Sequence, residues 1–565
     1  MRARTASALA IGIVLLPIVA VAQAPPPRDG ASVQVPTGTG RLRGRVVASD
    51  TSTPLRRAQV RAVANAIRTT RLTSTDAEGR YEFANLPAGR YTISVSKAGY
   101  VRLEFGQRRP FEGGRPLELG DGQIAEQIDF ALPRGSVIAG RLTDGAGDPI
   151  VGAWVQPMRY QFGASGTRKL LPVEASGWMS NMTNDLGEFR VFGLMPGTYV
   201  LSAEAQGPGV ASLMDAREGL LMTYFPGTTN VAEAQPILVS LSEEAQASFS
   251  LAAGRLSRIS GVVRRSDGSA AAGSTVELRP SDTSGAAASG SGSFGVDASG
   301  SFGFANVPPG QYVLEVDQRR QSIDPTQTPE SARMTVAVGG IDVAGLVITT
   351  RPGTTVSGRV TFQSATFTKI PERSSLRIVA VSPDPEEAAR TANVFQPTNG
   401  VIEPNGRFEL RGITGRVLFR PGALGNNMVL QSVFLNGVDI TDRPYDTANG
   451  DLSGLEIVIA DQAQLHGTAR NARGEPVREF RFALFPAHAK PSQLTTRFMH
   501  TGSADSNGRF QLDRLPAGEY LGIAVESLER GQEWDPAFQQ RLLPVARRFV
   551  LQDGQTLTID LPFVE

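Results

Sequence analysis

Cysteine does not occur anywhere in this 565-residue sequence. That excludes disulfides, thiolate metal sites, a cysteine nucleophile and lipid attachment through an N-terminal cysteine, so stability has to come from packed cores. Lysine is confined to Lys97, Lys169, Lys369 and Lys490, and arginine supplies nearly all the basic charge. Neither sign of charge is in excess: 56 basic and 55 acidic residues leave a formal net charge of +1. The two signs are interspersed, which removes the footprint of a nucleic-acid binder or of a protein held on an anionic membrane. Beyond the N-terminus no stretch approaches the ~20 apolar residues of a membrane-spanning helix, so no transmembrane segment is expected in the mature chain.

The one long apolar run, Leu9 to Val21, follows Arg2 and Arg4 and precedes the small residues Ala20-Val21-Ala22. This is the pattern of a secretory signal peptide spanning 1–22, and the run is short for a membrane anchor. Export places the protein in the periplasm, at the outer membrane or outside the cell. Residues 23–40, rich in Pro, Gly and Thr, read as a disordered lead-in.

Glycine (61) and proline (37) are abundant, but they sit between alternating apolar runs and read as turn chemistry. The stretch Asp76 to Tyr91, D-A-E-G-R-Y-E-F-A-N-L-P-A-G-R-Y, holds two short strands and two turns. It returns with fixed internal offsets. Its aromatic anchor is Tyr81, Phe189, Phe302, Phe408 and Phe510; five residues on stand Leu86, Leu194, Val307, Ile413 and Leu515. Ten residues after the anchor come Tyr91, Tyr199, Tyr312, Leu418 and Tyr520. Each copy is preceded by an apolar-x-Gly-x-apolar strand around Gly44, Gly140, Gly261, Gly358 and Gly467. A period of about a hundred residues marks a string of whole β-domains rather than a solenoid of small units. The fourth copy has Arg416 and Leu418 where the others have Gly and Tyr, and Gly415 beside them suggests a turn shifted by one residue.

The expected fold is all-β, a tandem array of about five transthyretin-like or Ig-like β-sandwiches after the signal peptide. The expected sandwiches span 41–133, 134–252, 253–350, the divergent 351–462, and 463–565. The second carries a long loop, 156–184. Linkers of a few residues suggest an extended, semi-rigid rod. The single helix expected starts after Trp534, with Asp535 as N-cap and Pro536 at the first helical position.

The residues G-R-V at Gly44, G-D-P-I-V-G-A-W-V from Gly147 to Val155, and D-x-x-G-x-F followed by L-P-x-G-x-Y resemble the carboxypeptidase regulatory-like domain. The resemblance is good in repeats one, two, three and five and partial in four. It implies a transthyretin-like, seven-stranded sandwich, close to Cna protein B-type and starch-binding-like domains. The string as a whole, with F-G-Q from Phe105, Y-F-P-G-T-T from Tyr224, L-N-G-V-D-I-T-D from Leu435 and E-W-D-P-A-F from Glu533, is similar to exported multi-repeat proteins of soil bacteria. It implies a fold strongly and a function weakly.

A zinc carboxypeptidase needs His and Glu three apart plus a distant His. None of His466, His488 and His500 has Glu three residues on, and no G-x-S-x-G elbow is present. No catalytic, cofactor-binding or metal-binding residue is assigned, no cofactor is implied, and the chain is read as a non-enzyme. Opening strands without lysine predict no Lys–Asn cross-link of the Cna type. D-T-A-N-G-D from Asp446 and D-S-N-G from Asp505 lack the terminal Glu of a calcium loop and read as turns.

The strongest binding candidate lies in the loop of the second repeat: Arg159, Tyr160, Phe162, Arg168, Lys169 and Trp178. Its rings could stack on sugar C–H faces with basic groups beside them. The structural alternative has these rings covering the end of the sandwich or packing on the third repeat. The functional expectation is a non-catalytic protein of the cell envelope, structural or adhesive, with polysaccharide or an envelope protein as partner. A dedicated carbohydrate-binding protein using the aromatic loop is the second reading, and an accessory to a peptidase a remote third.

Overall fold

The structure, a computed structural model, describes residues 37–64, 69–164, 166–173, 181–205, 218–281, 292–317, 329–364, 376–384, 400–422, 424, 427–488 and 497–565. The signal peptide, most of the lead-in and Trp178 lie outside the described residues.

The first unit shows how the pattern becomes a sandwich. Its strands are β1 (Gly40–Ala48), β2 (Gln59–Ala64), β3 (Thr69–Ser74), β4 (Arg80–Leu86), β5 (Gly89–Ser96), β6 (Leu103–Glu104), β7 (Leu117–Leu119), β8 (Ile124–Ala125) and β9 (Phe130–Leu132). One sheet runs β4–β1–β8, with β9 continuing the pairing on β1; the other runs β3–β2–β5–β6, with β7 on β5. Burial alternates along β2 and β4, as a strand with one face on a core requires. Leu42, Val46, Val60, Ala62, Ile93 and Leu132 are fully buried between the sheets.

The repeated residues have defined duties. Asp76 accepts hydrogen bonds from the backbone N–H groups of Glu78 (3.0 Å) and Arg80 (2.7 Å), closing an Asx turn. Gly79 sits at φ +75°, and its carbonyl accepts from Val46 N–H at 2.8 Å, tying the turn to β1. Asn184, Asp297 and Asp505 make the same pair of turn bonds. The aromatic anchor lies directly across from the strand glycine: Gly44 pairs with Tyr81, Gly140 with Phe189, Gly261 with Phe302, Gly358 with Phe408 and Gly467 with Phe510. A Cβ on Gly44 would collide with the Ile128 carbonyl and the Tyr81 hydroxyl, so the ring covers a strand that only glycine can complete.

The tyrosine ten residues on folds its hydroxyl back to the chain. Tyr91, Tyr199, Tyr312 and Tyr520 donate to the carbonyls of Pro87, Met195, Pro308 and Pro516 at 2.6–2.9 Å. Burial raises all four hydroxyls, and pushes those of Tyr199, Tyr312 and Tyr520 well above the usual tyrosine range. In the fourth unit Val417, not Leu418, takes the tyrosine's place in the core, and it has no hydroxyl to return. The turn there is one residue shorter, as Gly415 suggests: Val417 pairs with Tyr445 as Tyr91 does with Leu117, and Val417 and Phe419 face the core where Tyr91 and Ile93 do in the first unit.

Buried apolar side chains gather into five successive cores, at 42–132, 138–251, 259–348, 356–459 and 463–561. Smaller clusters around Met158 and around Phe485 flank the second and the last. In the last unit Thr556–Val564 pairs both with Ala463–Arg470 and with Gly518–Val525, joining the two sheets edge to edge. The helix Pro536–Leu542 forms as expected, with Asp535 accepting from Ala537 N–H at 2.9 Å.

An extended rod is not formed. Arg109 of the first unit reaches Glu526 of the last at 2.5 Å, and Arg530 of the last reaches Glu104 of the first at 2.7 Å. Short linkers fix the angle between neighbours without making it straight, and complementary charges at the two ends of the chain meet.

Candidate functional site

The stretch 156–184 is less of a loop than its composition suggests. Strands β10 (Ser136–Thr143), β11 (Trp154–Phe162) and β12 (Arg168–Pro172) succeed one another, and the last two form a hairpin. β11 is long enough to leave the body of the sandwich because its far half pairs only with β12. Tyr160 faces Leu170, Gln161 faces Lys169 and Phe162 faces Arg168 across the hairpin. Five of the six candidate residues are therefore on one hairpin; Trp178 lies outside the described residues.

Each of the basic candidates already has a partner. The Arg159 guanidinium lies 3.3 Å from the centre of the Phe111 ring and 3.3 Å from the Glu529 carboxylate. Its side chain is 16% exposed, so the stacked geometry is largely withdrawn from water. Lys169 pairs with Asp384 of the fourth unit at 3.3 Å. Arg168 lies over the Tyr160 ring at 4.2 Å. Gly166, at the tip, approaches Trp534 and Pro536 of the last unit. Among the described residues these partners come from the first, fourth and last units.

Sequence reasoning did not single out Phe111, yet the chain converges on it. It is held at φ +63°, a conformation uncommon for a bulky side chain. Its ring meets Tyr199 edge-on, with centroids 6.4 Å apart, and a Cβ on Gly197 would press against it. Its N–H lies 3.2 Å from the Met195 sulfur, and its carbonyl accepts from Arg530 N–H at 3.3 Å. One residue thus touches the second and last units while belonging to the first. The available signal was a ring in the Gly- and Pro-rich run P-F-E-G-G-R-P, where no strand alternation explains it.

Around Phe111 the polar groups pair across units. Glu112 is buried and faces Arg481 at 3.5 Å, while Arg481 also donates to the carbonyls of Gly113 and Gly114. Burial pulls the Arg481 guanidinium below its ordinary value, and Glu112 opposes that shift. Arg109 adds a bond to Ser527 at 2.8 Å, Arg108 pairs with Glu479, and Glu112 and Glu529 form an isolated antiparallel bridge. Nearby, burial raises the Glu533 carboxyl.

The cluster docks surfaces of the first, second and last units against one another. Among the described residues no group of three or more His, Asp or Glu could hold a metal ion. The histidines are dispersed: His488 pairs with Glu519 at 2.9 Å, and His500 bonds the Arg497 carbonyl, with burial lowering its pKa. The acidic turns are occupied too, since Asp446 caps Ala448 N–H and Asp505 serves its Asx turn. No helix among the described residues is long and apolar enough to cross a membrane.

Residues 41–133 match the family model of the carboxypeptidase regulatory-like domain. None of the curated proteins matches the chain. Solved structures with likeness include the TIE protein of Bacillus anthracis, at 13% identity over 56% of this chain and 51% of that one, with a TM-score of 0.15. The chain thus aligns with about half the length of that protein. A streptococcal ancillary pilin shares 12% identity over 55% of this chain and 99% of its own, with a TM-score of 0.21. The major pilin subunit BcpA of Bacillus cereus shares 11% over 55% and 99%, with a TM-score of 0.14. At these identities and TM-scores the likenesses carry no information on activity or partners. Strand order, Asx turn, glycine–aromatic pair and family match agree, and residues 41–133 form a carboxypeptidase regulatory-like domain.

Proposed function

We propose that this chain is a non-catalytic protein of the cell envelope, exported by its N-terminal signal, with a structural or adhesive role. The observation that carries this reading is the use made of the polar residues. The recurring Asp, Asn, Tyr and Gly are consumed by turns and anchors, and the clustered Arg and Glu by contacts between units. We take the units to be independent sandwiches with boundaries at 41–133, 134–252, 253–350, 351–462 and 463–565, in keeping with the five successive cores. Fractionation of the producing cells tests the reading: the chain should be recovered from the envelope or the medium, cleaved near Ala22. Full-length chain in the cytoplasm would overturn it.

A second reading keeps one observation in its favour. Tyr160 is 39% exposed, and Arg168 lies over its ring. A polysaccharide stacking on Tyr160 and Phe162 fits that edge of the hairpin. Retention on a polysaccharide panel, lost in Tyr160→Ala and Trp178→Ala, would support it; no retention on any member would remove it.

A further inference from the structure

The head–tail contact joins segments more than 350 residues apart in sequence, as the Arg481–Gly113 bond shows with a separation of 368. It is built almost wholly of charge. Arg109–Glu526, Arg530–Glu104 and Arg481–Glu112 each set an arginine of one end against a carboxylate of the other. None of the apolar clusters among the described residues joins the first unit to the last. Arg109, Glu526 and Arg530 keep between 49% and 67% of their side-chain surface exposed. Exposed pairs are individually weak and screened by salt; Arg481–Glu112 is the one buried pair of the three, and among the described residues no apolar burial of the kind that makes an interface permanent accompanies it.

Within one chain such a contact forms because the two surfaces are tethered, at an effective concentration on the order of mM. Once open, each copy presents one surface at its head and the complementary one at its tail. A contact between unlike surfaces does not close on itself in a pair of copies; it leaves a free head and a free tail and grows. We propose that this contact opens reversibly and that the same two surfaces then pair between copies of this chain, head to tail. The partner is a second copy, because among the described residues the surface with matching charges and a matching backbone bridge is the chain's own. The inference holds whatever the chain's role in the envelope.

The bridge between Glu112 and Glu529 supplies the test. Antiparallel bridged residues stand about 4.5–5.5 Å apart at Cα, within the span a disulfide accepts. Because the native chain has no cysteine, every disulfide in the mature double variant Glu112→Cys/Glu529→Cys involves the introduced residues. Under mild oxidant at micromolar concentration the expected product is a cross-linked monomer. Near millimolar concentration, after brief exposure to about 1 M salt and return to low salt, a non-reducing gel should show a ladder of dimers and longer species. Equimolar mixing of the two single variants should give heterodimers above the level of either alone. Light scattering of the unaltered chain provides a readout free of substitutions, and its mass should rise with concentration. A cross-linked monomer at every concentration, with constant mass for the unaltered chain, would overturn the proposal and leave the envelope reading intact. Folded protein that forms no disulfide at all would overturn it as well.

Discussion

A glycine in the middle of a strand ordinarily weakens it, by roughly 0.5–1 kcal/mol relative to alanine. Gly44 reverses that expectation. Its missing side chain lets the Ile128 carbonyl and the Tyr81 ring close over β1, and a methyl group would meet backbone that has no room to move. Gly44→Ala should therefore destabilise the first unit by about 3 kcal/mol, against the sign given by propensity alone. Calorimetry of the whole chain checks this, with one transition moving down and the others staying in place. An unchanged profile would mean that the strands shift to accept the methyl group. The anchor rings themselves were legible in the sequence, because they recur at fixed offsets. Their pairing with the strand glycine was not, since the two residues are 37 apart in the first copy and are brought together only by the register of β1 on β4.

Every copy also contains a bend that the sequence hides better. The residue before the buried Leu, Val or Ile stands at positive φ: Asn85, Gly193, Asn306, Gly412 and Arg514, between +56° and +78°. At that point the register on the opening strand slips by one residue, a β-bulge repeated in all five units. Asn and Gly tolerate the left-handed region, so four copies are at ease there. Arg514 is not, and Arg514→Gly should raise the stability of the last unit by about 1 kcal/mol, less any side-chain contact it gives up. Thermal unfolding compared with the unaltered chain measures it; a lowered transition would show that the arginine earns its place through a contact. The five residues share a backbone angle and not a side chain, which is why pattern matching passes over them. The hairpin of the second unit was misjudged for a related reason. Its rings and basic groups were visible, but Phe111, Asp384 and Glu529, which engage them, are far away in sequence.

At the scale of the whole molecule, alternation and turn chemistry made the sandwiches readable, and linker length made their arrangement look straight. Angles between neighbours are set by side chains at each junction, and no short pattern encodes their sum. That sum decides how force travels through the protein. With its head clasped to its tail, the chain carries a load applied at its two ends across the clasp first. Pulling a single molecule from both ends should give one early, low-force extension without the loss of any sandwich, absent in Arg109→Ala/Arg530→Ala. A first event at the force of sandwich rupture would contradict this. A polar clasp in front of five cores acts as a mechanical fuse: it gives way early, releases stored length, and spares the folded units.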